Sequence, residues 1–328
     1  MIDSKKKHID FIDLAKGLTI LLVILYHVNE FMLICRIGTI FRMPLYFLLS
    51  GLFFSANING GWIEVKTFLI KKTNRLLIPF VFFFLVMFPL KRLFFGYMPE
   101  FYRNETIFSN PAIWFLLCLF EVNVISYVLC YLGKGKVLLT SIFFVIVGMI
   151  GFFLGKNHIN LPLYLDTAMT SSPFFCVGYM LRKHTNLLYP NKFDKYNFFL
   201  TCVFLLIAYF CFSAKIDNRI SLIPNNIFSY YVGGISGSLA VLLLSKMIGK
   251  IPFVSYVGKY SIVLLVIHFF VLEFYMIYIE PKIVLSDVIV ATMIKFFFVI
   301  VVSSLFIPLF KRFIPWFIAQ KDLIPIKK

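Results

Sequence analysis

Charge is scarce in this chain. Asp, Glu, Lys and Arg make up 14% of its 328 residues, and the acidic pair contributes only 15 of them. An ordinary soluble domain carries about 25% charged residues, so the scarcity excludes that class. Polar stretches are short as well. The longest, 57–72, 99–110, 184–195 and 215–225, are too small to enclose a core of their own, and no soluble domain is expected. The six cysteines form no CxxC pair and no Cys/His spacing of the kind that holds zinc, so they read as buried apolar thiols. No internal repeat is visible, which weighs against a transporter built from two related halves.

What the chain has in quantity is apolar surface. Hydrophobic residues make up 61%, Phe alone contributes 42, and mean hydropathy is +0.91. Such a chain is a polytopic membrane protein, and in lipid its apolar runs of helical length satisfy their backbone as helices. The fold class expected is therefore all-α. The formal charge of +17 invites a nucleic-acid reading, but the basic residues sit in small clusters between apolar runs, as the positive-inside rule produces. Membrane lipids and phosphate-bearing ligands are the expected partners, and nucleic acid is not.

A membrane helix needs ~20 apolar residues. On that rule ten spans are expected, at 11–33, 38–56, 76–97, 111–132, 137–155, 167–182, 196–214, 226–246, 260–279 and 286–309. Lys5, Lys6 and Lys7 precede an apolar run too long for a secretory signal, so that run is read as the first span. With the N-terminus inside, 21 of the 32 Lys and Arg residues fall on the inner side and nine on the outer, which places both termini in the cytoplasm. The whole of 1–328 then forms one domain, a helical bundle over about 9–310 followed by a short basic cytoplasmic tail, 311–328.

The first span carries Asp13, Lys16, His27 and Glu30. Lys16 and His27 are eleven residues apart, within about 20° of three full turns, so they share one stripe ~16 Å long. Asp13 and Glu30 fall within about 60° of it by the same arithmetic. A charge at the bilayer centre costs at least ~2.5–3.5 kcal/mol, so this stripe should face protein or a water-filled cavity. Interfacial anchoring explains Asp13, Lys16 and Glu30 but not His27, which lies too deep.

Three further places combine ionisable groups with unusual backbone. Arg42 precedes Met43-Pro44, and Ser50-Gly51 permits close helix approach. Lys72 and Arg75 share a face at the inner mouth of the third span, where two cations suit phosphate, Arg by bidentate bonds and Lys as a point charge. Ser261, His268 and Tyr275 are spaced by sevens along the ninth span, with His268 near mid-membrane. Glu121, Asp166 and Lys295 are the other charges placed in or near spans.

These segments resemble the integral-membrane acyltransferase family 3 of bacteria. The resemblance is carried by Ile12-Asp13-Leu14-Ala15-Lys16-Gly17 leading to His27, by Met43-Pro44 through Ser50-Gly51, and by Lys72-x-x-Arg75-Leu-Leu-Ile-Pro79. It continues through Ile113-Trp114-Phe115-Leu116, Phe174-Phe175 to Gly178-Tyr179, and Gly258-Lys259-Tyr260-Ser261 to His268. The Asp-x-Ala-Lys-Gly form is similar to that of the fucose and polysaccharide O-acetyltransferase branch. The resemblance implies a multi-pass protein of the bacterial inner membrane that O-acylates a glycan or glycolipid. Its co-substrate would be acetyl-CoA or another acyl-CoA, with no bound cofactor and no metal, and its setting the machinery of polysaccharide synthesis and export. It implies His27 as base or acyl relay with Lys16 beside it, Lys72 and Arg75 on the donor phosphates, and Arg42, Ser50, Asp166 and His268 toward the acceptor. The competing readings are a glycan or lipid transporter and a non-catalytic subunit of an envelope-synthesis complex.

Overall fold

A computed structural model describes residues 9–55, 60–96, 112–184, 194–212, 216–217, 226–283 and 286–326. Lys5, Lys6 and Lys7, the stretch 99–110 and most of 184–195 and 215–225 lie outside the described residues. Those described are helical with no strand. In chain order the helices are α1 (Asp10–Val28), α2 (Leu33–Gly38), α3 (Arg42–Leu52), α4 (Gly61–Lys72), α5 (Ile78–Phe95), α6 (Trp114–Leu132) and α7 (Val137–Lys156). They continue as α8 (Leu165–His184), α9 (Lys195–Phe210), α10 (Ile227–Ile248), α11 (Pro252–Lys259), α12 (Ser261–Phe274) and α13 (Val288–Phe313).

Among the described residues eight helical stretches are long and apolar enough to cross a membrane, against the ten spans expected. The two that fall short are α8, which carries Thr167, Thr170, Ser171 and Ser172, and α9, which is 16 residues long. Both exist as helices where the sixth and seventh spans were placed.

Three boundaries differ from expectation, each for a local reason. The first span stops at Val28 rather than Leu33, because Asn29 turns extended (φ −154°) and its side-chain amide donates to Thr292 Oγ1 of α13 at 2.9 Å. Glu30 is therefore off the stripe and exposed. The second span is broken between α2 and α3 at residues 39–41. The third begins fifteen residues early: the stretch 57–72, read as polar, is helical from Gly61, and a π turn (Thr73–Leu77) joins α4 to α5 in one 35-residue rod, Gly61–Phe95. That wider turn falls just before Pro79, whose missing N–H and ring fit poorly inside a regular helix.

The bundle is organised around α1, which packs against α3, α10, α11, α12 and α13. Of its apolar window 56% is buried, against 22% for the peripheral α13. A helix carrying Asp13, Lys16 and His27 thus has five others packed on it, which cover more than half of its apolar window. Two glycine contacts bring backbones together. A Cβ on Gly258 of α11 would lie 1.8 Å from the Asp13 carbonyl oxygen, and one on Gly17 of α1 would lie 2.1 Å from that of Val254. The pair α3–α8 repeats the device, Gly51 against Phe175 O and Gly178 against Leu48 O. Only a residue without a side chain lets helices approach so closely.

Two charge pairs join helices elsewhere in the bundle. Lys91 of α5, 4% exposed, reaches Glu273 of α12 at 2.8 Å, and Lys295 of α13 reaches Glu280 at 2.5 Å. Cys35, Cys118, Cys130 and Cys176 are buried as expected, whereas Cys202 of α9 faces outward. The basic tail does not hang free over its described part. After α13 a 3₁₀ turn (Pro315–Ile318) folds back, the Phe317 ring stacks on Phe82 of α5 at 3.8 Å, and Ile318 is 2% exposed. Asn74, in the π turn, then holds Leu323 and Ile324 by three hydrogen bonds: both of their amides donate to its Oδ1, and its Nδ2 donates to Ile324 O.

Candidate active site

The central helix α1 presents its polar stripe to two cavities, one above the other. Lys16, one turn and a half from the start of α1, lines the first, of about 160 Å³, together with Tyr46 of α3 and Ser261 at the first position of α12. The Tyr46 hydroxyl donates to the Lys16 carbonyl at 3.1 Å, tying α3 to α1 at that level. His27, in the last turn of α1, lines the second, of about 350 Å³, with Arg42, Asp217, Trp114 and Phe269. Val23, Met43 and Leu265 belong to the walls of both. The cavities therefore adjoin, and the α1 stripe runs from one into the other.

At the far end of the stripe the ionisable groups converge. The His27 ring lies 5.5 Å from that of His268 on α12, and Phe269 is against both, at 4.4 and 4.6 Å. His268 is fully buried, with Nδ1 2.8 Å from the Leu264 carbonyl oxygen and Nε2 without a partner. Donation from Nδ1 to that carbonyl leaves Nε2 as the unprotonated nitrogen. Arg42, the first residue of α3, is 8% exposed, and its guanidinium covers the Tyr26 ring at 3.7 Å. Such stacking suits a planar cation that leaves Nε and Nη1 without hydrogen-bond partners. Asp217 supplies the opposite charge within electrostatic reach of Arg42.

At the near end, Lys72 closes α4 with its ammonium 5.6 Å from the Phe68 ring centre, and Arg75 stands exposed in the π turn. Neither lines either of these two cavities, but Leu76, the next residue, lines the first. Arg75 is within electrostatic reach of both Lys72 and Lys16, and Asp13 of Lys16 as well. Three cations thus gather at the end of the first cavity, a setting that draws a polyanion.

With this geometry in hand, comparison with known families is decisive. The sequence profile of acyltransferase family 3, an acyltransferase domain, matches residues 9–311. The chain belongs to that family. No curated protein and no solved structure matches it. The matched stretch takes in α1 through most of α13, so both cavities lie within the acyltransferase domain, and the protein is a multi-pass membrane acyltransferase.

In this acyltransferase His27, Arg42 and His268 come together, and Lys16 stands below them on the same stripe. Ser50 and Asp166 stand apart from both cavities. The Ser50 hydroxyl exchanges hydrogen bonds with Asn123 of α6, at 3.0 and 3.2 Å, so it joins α3 to α6. Asp166, 3% exposed in the first turn of α8, accepts from the Leu161 amide at 3.2 Å, closing the α7–α8 connection. Tyr26 and Asp217, both on the wall of the second cavity, are not among the site residues expected. Tyr26 carries Arg42, and its position beside His27 was the available signal. Asp217 falls in the polar stretch 215–225, where nothing in the spacing singles it out. Among the described residues no group of three or more His, Cys, Asp or Glu could hold a metal ion.

Proposed function

We propose that this acyltransferase moves an acyl group, acetyl in the first instance, from a cytosolic acyl-CoA to a hydroxyl of a cell-surface or secreted glycan or glycolipid. The observation that carries the reading is that Lys16 and His27 share one face of α1 yet line two adjoining cavities. A thin, extended thioester arm can run ~16 Å along that face. The CoA phosphates would then rest at Lys72, Arg75 and Lys16 while the thioester carbonyl reaches His27.

The chemistry is an acyl transfer with the imidazole as general base. The acceptor oxygen attacks the thioester carbonyl carbon as His27 takes the hydroxyl proton. The tetrahedral adduct collapses, the C–S bond breaks, and the CoA thiolate leaves, receiving that proton from the imidazolium. The reference pKa of histidine, about 6.5, suits both halves of the cycle. Arg42 and Asp217, on the wall beside His27, offer a donor and an acceptor to the sugar hydroxyls, and Trp114 a flat apolar face for the ring. The orientation follows the basic-residue bias, with the Lys16 end inside and the His27 end toward the outer leaflet of the bacterial cell membrane.

Membranes containing the protein, supplied with [¹⁴C]acetyl-CoA and the surface glycan of the source cells, should transfer label to the glycan in an alkali-labile ester. Label that stays with CoA in membranes where the protein is abundant and folded would overturn the reading.

A further inference from the structure

The two cavities meet where Val23 of α1, Met43 of α3 and Leu265 of α12 line both. All three are buried, at 1%, 8% and 6% exposure. They come from three different helices, so they bound the junction from several sides. None carries a strong hydrogen-bonding group. Both chambers beyond them are polar in part, with Lys16, Tyr46 and Ser261 on one side and His27, Arg42 and Asp217 on the other. An apolar collar therefore separates two partly polar chambers.

We propose that Val23, Met43 and Leu265 select the acyl group, admitting a short, uncharged acyl thioester and refusing charged or long ones. This rests on the reading above, in which the donor arrives past Lys16 and reacts at His27. On that path the acyl group leads and must cross the collar before its carbonyl reaches the imidazole. A succinyl group would carry a carboxylate past three apolar side chains with nothing there to replace its water. A longer alkyl chain would have to share the second cavity, of about 350 Å³, with the acceptor, and space bounded by packed side chains resists added methylenes. An apolar pocket separates substrates differing by one methylene by about 10- to 200-fold, which is ample to make a chain-length filter.

Met43 is the residue through which the filter is adjusted. Its side chain is unbranched and yields more readily than those of Val23 and Leu265. It lies in the first turn of α3, directly after the break at residues 39–41.

The test uses the full-length protein in proteoliposomes with the source cells' surface glycan as acceptor. Thiol release is followed with acetyl-, butyryl-, hexanoyl- and succinyl-CoA. The wild-type protein should favour acetyl over butyryl by about tenfold or more and show no turnover of succinyl-CoA above protein-free vesicles. Met43→Ala should raise the butyryl-to-acetyl ratio by about tenfold or more, and the gentler Leu265→Val should move it the same way. Met43→Leu, matched in volume, should restore the wild-type order. Equal use of hexanoyl- or succinyl-CoA by the wild type overturns the collar while leaving the acyltransfer reading intact. So does an unchanged ratio in a folded, active Met43→Ala and Leu265→Val. Thiol release from none of the donors by folded wild-type protein overturns the acyl-CoA reading and the collar with it.

Discussion

The imidazole rings of His27 and His268, carried by α1 and α12, stand 5.5 Å apart centre to centre. Phe269 lies against both, and the buried Nε2 of His268 has no partner. A fully buried nitrogen lone pair left unsatisfied beside a second histidine is an expensive arrangement for packing alone. It fits a site in which proton position matters. Further along α1, its backbone meets that of α11 closely through Gly17 and Gly258.

That contact gives the first prediction. A Cβ at position 258 would lie 1.8 Å from a backbone oxygen, which cannot swing aside as a side chain can. Gly258→Ala should cost about 1–3 kcal/mol or more, since overpacking against backbone leaves no rotamer to relax into. The protein should melt lower in detergent and lose transfer. Gly38→Ala, whose added Cβ meets nothing within 4 Å, is the control and should melt like the wild type. Equal melting of Gly258→Ala and wild type would show that the helices are not in contact there.

Lys72 and Arg75 are expected to act on donor affinity and not on the chemical step. Neither lines the cavity that holds His27. Loss of a hydrogen bond to a charged group costs ~1.5–3 kcal/mol, so Arg75→Ala should raise KM for acetyl-CoA by about 10- to 100-fold with kcat little changed. A fall in kcat at constant KM would place Arg75 in the wrong role.

Much of this site is legible in the residues alone, because helical periodicity is a one-dimensional signal. Lys16 and His27 fall on one face of any helix, and both line cavities as that face demands. The shared face of Lys72 and Arg75 could be read the same way. What periodicity cannot supply is which helix a face meets. His27 and His268 are 241 positions apart, and each alone resembles a lone packing histidine. Ser50 and Asp166 look alike in sequence as polar residues in apolar helices, yet their bonds run to Asn123 and to the Leu161 amide. The end of α1 was missed because Val28 through Leu33 is apolar enough to continue a helix. It stops where Asn29 reaches Thr292, a partner on α13. The π turn before Pro79 and the return of the C-terminal segment are tertiary features of the same kind.

That C-terminal segment gives the third prediction. Asn74 is 1% exposed and binds Leu323 and Ile324 through three hydrogen bonds at 2.8–3.0 Å. Asn74→Ala should release them, and the Leu323 and Ile324 amides should then exchange with deuterium faster. The amides of α12 should keep the wild-type rate. Unchanged exchange at Leu323 and Ile324 would mean that Phe317 and Ile318, and not Asn74, hold the segment in place.

The central claim is that His27, on the wall of the second cavity, carries out the acyl transfer. The most direct measurement is the rate of [¹⁴C]acetyl transfer from acetyl-CoA to glycan by purified, reconstituted His27→Ala beside wild type, with melting temperature and acetyl-CoA binding determined on the same preparations. General-base catalysis contributes about 10²- to 10⁴-fold. The variant should therefore lose at least about a hundredfold in rate while melting and binding acetyl-CoA like the wild type. Transfer at the wild-type rate by well-folded His27→Ala would contradict the account.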